Sequence, residues 1–273
     1  MVIYSHSRLS TFENCPKKFK FRYIDRIIPP IEKSIETHLG KVVHETLEWL
    51  YLQVKKKINP TIDDVVIYYS KKWKESWDPA IKNVKKKLTT KEFFNRGVQF
   101  LLDYYMRNKP FKDNTLRVEK RILISLDEDG KYRIQGFIDR LVYNMKTGEY
   151  EVHDYKTSHN LPQPEAIDKD RQLGLYSIAI KNEFGRNKKV SLIWHYLAFN
   201  RKLRSYRSDE QLEKLKKETI ELINKIESEK EFLPKKSYLC HWCEYKAICP
   251  AWNKNPPKTK EEAEKILRKV NGK

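Results

Sequence analysis

Apolar residues fall at helical spacing over the first part of the chain and at strand spacing after residue 116. Phe19, Tyr23 and Ile27 lie four apart, which predicts a helix through the aromatic and basic run Lys17 to Arg26. Pro29-Pro30 ends it. From Gly40, the positions Val43, Leu47, Leu50 and Val54 predict a second helix. Residues 61–108 read as further helices, interrupted around Asp78-Pro79. Leu116 to Leu126 alternates as a strand and runs into Asp127-Glu128-Asp129-Gly130, a hairpin turn signal. Tyr132 to Tyr143 is the second strand, Lys146-Thr147-Gly148 a turn, and Tyr150 to Lys156 the third strand. Residues 168–182 predict a helix with Leu173, Tyr176 and Ile180 on one side, followed by a fourth strand from Val190 to Phe199. Asp209 to Glu231 is a long charged helix with Leu212, Leu215, Ile223 and Ile226 as its apolar stripe. The polar tail after Pro256-Pro257 forms at most one loose amphipathic helix.

Composition sharpens this picture. The 273 residues suffice for one large domain or two small ones. Only 39% are hydrophobic, yet 6 Trp, 16 Tyr and 11 Phe can bury a real core, which argues against wholesale disorder. Abundant Lys and Ile with scarce Gln is the composition of proteins adapted to heat. Lys and Arg number 56 against 37 Asp and Glu, a formal charge of +19. Such a surplus attracts polyanions, nucleic acid first and an anionic membrane surface second. The tail, residues 258–270, is too weakly apolar to serve as a membrane-surface helix. No stretch of eighteen apolar residues spans a bilayer, and the opening residues lack the order of a signal peptide. The expectation is an intracellular, cytoplasmic protein without a membrane partner. Disulfides rarely persist there, so the four cysteines call for another explanation. The cluster Lys85-Lys86-Lys87 reads as a solvated face before it reads as a DNA contact.

The candidate chemistry sits on the second and third strands. Asp154 and Lys156 are two apart and so share a face. An antiparallel partner strand can bring Asp139 beside them. Carboxylates so placed repel unless a cation lies between them, and oxygen ligands suit Mg²⁺ or Mn²⁺. An isolated Asp-X-Lys is ordinarily a surface ion pair, and a lone helical His44 is ordinarily structural or exposed. Gln172 and Tyr176 are four apart and share a helix face. The cysteines are Cys15 near the start and Cys240-x-x-Cys243-x5-Cys249 near the end, a spacing that argues against unrelated thiols. Four thiolates suit zinc, and His241 is a further candidate ligand there. Trp242, Tyr245 and Trp252 beside them are either core packing or surfaces for unpaired bases.

Taken in order, these pieces resemble the RecB-family nucleases of the PD-(D/E)XK superfamily. The motifs are Tyr4-Ser-His-Ser-Arg-Leu-Ser-Thr-Phe12 with Cys15-Pro16 and Phe19, then Gly40-x-x-x-His44, Gly136-Phe-Ile-Asp139-Arg140, Asp154-Tyr-Lys156-Thr157 and Gln172-x-x-x-Tyr176, closing on the cysteines with Cys249-Pro250. The chain is most similar to the iron–sulfur branch, which includes the AddB nuclease domain and the CRISPR-associated RecB-type exonucleases.

The resemblance implies an α/β fold: a restriction-endonuclease-like core whose mixed β-sheet is flanked by helices, an N-terminal helical region, and a C-terminal iron–sulfur segment. The implied segments are 1–36, carrying the first cluster cysteine, 37–115, helical with His44, 116–232, the nuclease core, and 233–273, the iron–sulfur segment and tail. His44, Asp139, Asp154 and the Tyr155 carbonyl would hold Mg²⁺ or Mn²⁺. Lys156 would orient or activate the attacking water. Gln172 and Tyr176 would support the site and touch DNA, and Glu119 is an additional acidic candidate. Cys15, Cys240, Cys243 and Cys249 would bind a 4Fe-4S cluster, with zinc as the alternative. The implied activity is metal-dependent DNA hydrolysis, most readily as an exonuclease on single strands or free ends, in repair, recombination or CRISPR adaptation. A helicase or CRISPR adaptation proteins would be partners. The competing reading is a catalytically silent DNA-binding or scaffold subunit. The presence of His44, Asp139, Asp154 and Lys156 together argues against that reading.

Overall fold

The computed structural model describes residues 2–29, 34–79, 81, 83 and 88–271. The Lys85-Lys86-Lys87 cluster lies outside the described residues. The chain forms two compact units, Met1–Glu32 with Glu218–Lys273, and Lys33–Lys217.

In chain order the elements are β1 (Ile3–Ser5), α1 (His6–Asn14), α2 (Pro16–Phe19) continued by a π-helical turn (Lys20–Ile24), α3 (Ile35–Lys55), α4 (Ile62–Glu75), α5 (Thr90–Asn108), β2 (Thr115–Ser125), β3 (Arg133–Asn144), β4 (Glu149–Lys156), α6 (Pro164–Ile167), α7 (Arg171–Phe184), β5 (Val190–Tyr196), β6 (Arg201–Tyr206), α8 (Asp209–Ser228) and α9 (Lys260–Asn271).

In the larger unit, β2 pairs antiparallel with β3, β3 antiparallel with β4, β4 parallel with β5, and β5 antiparallel with β6. The sheet is therefore mixed. The parallel β4–β5 step needs a crossover, which α6 and α7 supply. Helices cover both faces. Tyr155 of β4 packs into the core of α3, α4 and α5, with Leu47, Tyr51, Tyr69 and Tyr104. Its neighbours Asp154 and Lys156, on the opposite face of the strand, reach Gln172 of α7. Capping fixes where the helices begin. Thr61 and Thr89 open α4 and α5 with capping boxes to Asp64 and Glu92. Close packing of α5 on α3 and α4 requires Gly97, where a Cβ would lie 2.0 Å from the Tyr69 hydroxyl and 2.8 Å from Leu39.

Three sequence expectations need correction. The fourth strand ends at Tyr196 rather than Phe199; Leu197–Phe199 is a 3₁₀ turn, and Asn200 takes the left-handed conformation at φ 47°. That turn feeds β6, whose Arg-Lys-Leu-Arg sequence carries no strand alternation because it is an exposed edge. The helix expected over 168–182 begins at Arg171, where the Asp170 side chain accepts from the Leu173 amide. The helix expected through Lys17 to Arg26 begins at Pro16, turns π-helical at Lys20 and ends at Ile24 rather than at Pro29-Pro30, and a separate helix, α1, precedes it across the extended Cys15.

In the smaller unit, Phe12 and Phe19 pack against Phe232. Tyr245, Ile248, Ala263 and Leu267 form a second cluster with Ile27. That cluster buries one face of the tail helix α9.

Candidate active site

The register that sets Arg140 opposite His153 brings Asp139 level with Asp154 one step further along. The Tyr155 backbone then ties three elements together. Its N–H donates to Asp139 Oδ2 at 2.8 Å, and its carbonyl accepts from His44 Nε2 on α3 at 2.8 Å. His44 Nδ1 lies 3.5 Å from Asp139 Oδ2. On the α7 side, Lys156 Nζ donates to Gln172 Oε1 at 3.2 Å, and the Gln172 amide donates to Asp154 Oδ1 at 3.3 Å and to the Tyr176 hydroxyl at 3.2 Å. Gln172 therefore holds the carboxylate, the ammonium and the phenol in one arrangement. Asp154 Oδ2 lies 2.8 Å from Lys156 Nζ, a close ion pair whose carboxylate is buried.

Among the described residues, the group at metal-ligand distance takes in the additional acidic candidate Glu119 and leaves out Asp154, which the sequence had placed among the ligands. Glu119 lies in β2 between Val118, opposite Arg140, and Lys120, opposite Ile138. Its φ of 45° is left-handed, a strain of about 1–3 kcal/mol for a residue with a Cβ. Glu119, His44 and Asp139 each place a ligand atom within 4.8 Å of the others, which makes this trio a group able to hold a metal ion.

The electrostatics are those of crowded acids. Burial and the Asp139 charge push the Glu119 carboxyl up to about 7. Burial raises Asp154 to about 6, with Lys156 pulling down and Asp139 pushing up. For His44, burial disfavours the charged ring, but the bond and charge of Asp139 outweigh it and raise the group to about 9. For Lys156, burial opposes the ammonium and Asp154 outweighs it, so its pKa lies above the ordinary lysine value. Lys156 is thus a cation near neutral pH. A ring nitrogen and crowded, buried carboxylate oxygens form a donor set suited to a hard divalent cation.

Behind the strands lies a buried polar network absent from the sequence reading. Arg140 is 1% exposed. Its Nε donates to the Tyr155 hydroxyl at 3.0 Å, Nη1 pairs with Asp113, and Nη2 donates to His153 Nδ1 at 3.0 Å. His195 Nε2 also lies 2.8 Å from that Nδ1. An Nδ1 that accepts from both leaves His153 Nε2–H to donate to Glu151 at 3.2 Å. Burial, and after it neighbouring positive charge, holds both histidines well below the usual range and hence neutral. The Arg140 guanidinium also lies 3.9 Å over the Tyr51 ring.

All four cysteines meet in the smaller unit. Cys15, Cys240, Cys243 and Cys249 line a cavity of about 280 Å³ together with Trp242, Trp252 and several lysines. None is in a disulfide. Backbone amides of Lys235 and Ser237 donate to the Cys15 and Cys240 sulfurs at 3.5 Å. Among the described residues, no three cysteine sulfurs lie within 4.8 Å of one another.

Among the described residues no helix is long and apolar enough to cross a membrane. Among curated proteins nothing matches the chain. A solved structure described as "Crystal structure of SSO0001" aligns over 80% of this chain and 96% of that one, at 19% identity and a TM-score of 0.34, too loose a likeness to bear on the site. The sequence profile of the PD-(D/E)XK nuclease superfamily matches residues 3–250, spanning the paired carboxylates, Lys156 and all four cysteines. The chain therefore belongs to the PD-(D/E)XK nuclease superfamily.

Proposed function

We propose that the protein is a Mg²⁺- or Mn²⁺-dependent DNA exonuclease of the RecB type, acting on single strands or free ends and carrying a 4Fe-4S cluster. The observation that carries the nuclease reading is the Gln172 bridge, which fixes Asp154, Lys156 and Tyr176 on the strand that also anchors Asp139 and His44. His44, Asp139, Asp154 and the Tyr155 carbonyl would hold the metal, with Glu119 as a further acidic ligand. A divalent ion bound there polarises the phosphate and acidifies water.

The chain's own groups do the rest. Lys156, held as an ammonium, donates to the attacking water and to the developing charge on phosphate oxygen; it is not the base. Gln172 keeps Asp154 and Lys156 in register, and Tyr176 positions the scissile phosphate. The formal charge of +19 supports a polyanionic substrate. The exonuclease assignment, and roles in repair, recombination or CRISPR adaptation beside a helicase or adaptation proteins, rest on the motif resemblance.

The four cysteines line one cavity, which supports a single group bound by all of them. The motif resemblance favours a 4Fe-4S cluster there, with zinc as the alternative. In this reading residues 116–232 are the nuclease core and 233–273 fasten the cluster to the N-terminal segment.

The test is incubation with end-labelled linear single strands, linear duplex and circular single strands, in Mg²⁺, Mn²⁺ or EDTA. Progressive loss of label from linear single strands, with circles resistant and EDTA abolishing cleavage, is the expected result. Cleaved circles would overturn the exonuclease assignment. No cleavage of any substrate would favour the silent scaffold.

A further inference from the structure

The C-terminal cysteine segment carries a surface that catalysis does not use. Tyr238 is 73% exposed, Trp242 53% and Trp252 48%. Tyr245 in the same segment is buried and donates its hydroxyl to the Ile27 carbonyl, so its role is structural. Exposed indoles close together on one short segment are costly to leave in water and mark a binding surface.

The charge around these rings selects the partner. Residues 233–254 carry Lys235, Lys236, Lys246 and Lys254, with Glu244 as the one carboxylate. Glu244 is already neutralised by Lys18 at 2.7 Å and Arg22 at 3.9 Å. The ammonium groups of Lys236 and Lys246 lie 5.1 and 4.9 Å from the Trp252 ring centre, so this indole holds two cations at the surface. Trp242 meets Tyr238 edge to face at 6.4 Å. Both indoles also line the cysteine cavity.

We infer that this surface is a platform for single-stranded nucleic acid: Trp242 and Tyr238 stack on unpaired bases, while Lys236 and Lys246, propped by Trp252, hold the flanking phosphates. Rings take bases of any sequence, and cations take the backbone. A duplex hides its base faces and offers the platform phosphates alone. The inference deepens the single-strand preference proposed above and rests on that reading. A protein partner for the same rings is the competing occupant, but an uncompensated cluster of lysines around them favours a polyanion.

The experiment is fluorescence anisotropy of labelled oligothymidylate and of a duplex of equal length, with the full chain purified without air and EDTA present to prevent cleavage. Trp242→Ala should weaken single-strand binding about tenfold and duplex binding less than about twofold. Trp242→Phe should recover most of the loss, and unchanged iron content and melting would show that the fold survives. An equal loss on duplex, or no loss on single strands, overturns the platform. So does a self-association, seen by sedimentation, that Trp242→Ala abolishes while oligonucleotide affinity stays fixed. Binding in EDTA is read apart from cleavage. A chain that binds in this way yet never cleaves would overturn the nuclease proposal and leave the platform standing.

Discussion

Tyr176 occupies the space over Gly136: a Cβ there would lie 2.5 Å from Tyr176 Cε1 and 2.9 Å from its hydroxyl oxygen. The glycine of the Gly136-Phe-Ile-Asp139 motif is therefore explained by packing. It lets α7 bring Tyr176 and Gln172 down onto β3 and β4.

Gly136→Ala should cost about 1–3 kcal/mol by overpacking and slow cleavage by shifting Tyr176. In a Tyr176→Ala background the same substitution should cost less than half as much, because the clashing ring is gone. Denaturant melts of the two single variants and the double variant check this. An undiminished cost in the double variant would show that the clash is not the reason for the glycine.

Arg140 sits beside Asp139 in sequence but faces the other side of the sheet, where it holds Tyr155, Asp113 and His153. Arg140→Ala leaves buried partners unsatisfied and should cost about 3–5 kcal/mol. Arg140→Lys keeps the charge but loses the planar fork, so it should fall between the two in a urea melt. A Lys variant as stable as the parent would show that charge alone, not geometry, matters there.

The acidic group sets a pH dependence whose sign can be worked out. Glu119 rises from 4.5 to about 7 and Asp154 from 3.8 to about 6 in the folded chain. A carboxyl raised on folding favours the folded state most below its unfolded pKa and loses that contribution as pH climbs through the folded value. His44 rises from 6.5 to about 9, so its contribution is full below 6.5 and is lost as pH passes about 9. The metal-free protein should therefore lose stability steadily from about pH 4 to pH 9. Metal binding expels these protons, so metal affinity should climb over the same range, by about tenfold per pH unit for each proton released. Calorimetry in buffers of different ionisation enthalpy counts the protons. Glu119→Gln should remove one of them near pH 6.5, and an unchanged count would place Glu119 outside the metal site.

Much of this was legible in the sequence. Period-two alternation located β2, β3 and β4, and β3 pairs antiparallel with β4, with Asp139 and Asp154 one step beyond the last paired residues, Arg140 and His153. Gln172 and Tyr176, four apart, do share a face and touch the site. Glu119 was visible only as an acidic residue on the first strand; its left-handed backbone, which departs from strand geometry, carries no sequence signal. The partners of Arg140 were illegible because Asp113, His153 and His195 come from separate elements and meet only through the sheet. The edge strand β6 was missed because an exposed, basic strand has no apolar face to alternate.

The cysteines offer the last test, because iron–sulfur and zinc predict different proteins from the same four ligands. Cys15 precedes α2, whereas Cys240, Cys243 and Cys249 close the chain's other end, so any group they share joins distant segments within the smaller unit. Closing so long a loop removes much entropy from the unfolded chain. Burial and nearby thiols raise Cys249, and burial raises Cys243 to about 11, so without a bound cation these thiols stay protonated near neutral pH. Protein purified without air should be brown, with broad absorbance near about 400 nm. Cys15→Ser should bleach it and lower stability by about 2 kcal/mol, roughly 4–8 °C in melting midpoint for a chain of this size. Single-turnover cleavage at a temperature where the variant stays folded should change little, since none of the catalytic candidates belongs to the smaller unit. Iron and zinc analysis decides the identity of the group: colourless parent protein with stoichiometric zinc would sink the iron–sulfur assignment. A Cys15→Ser chain that keeps its colour would remove Cys15 from the ligand set.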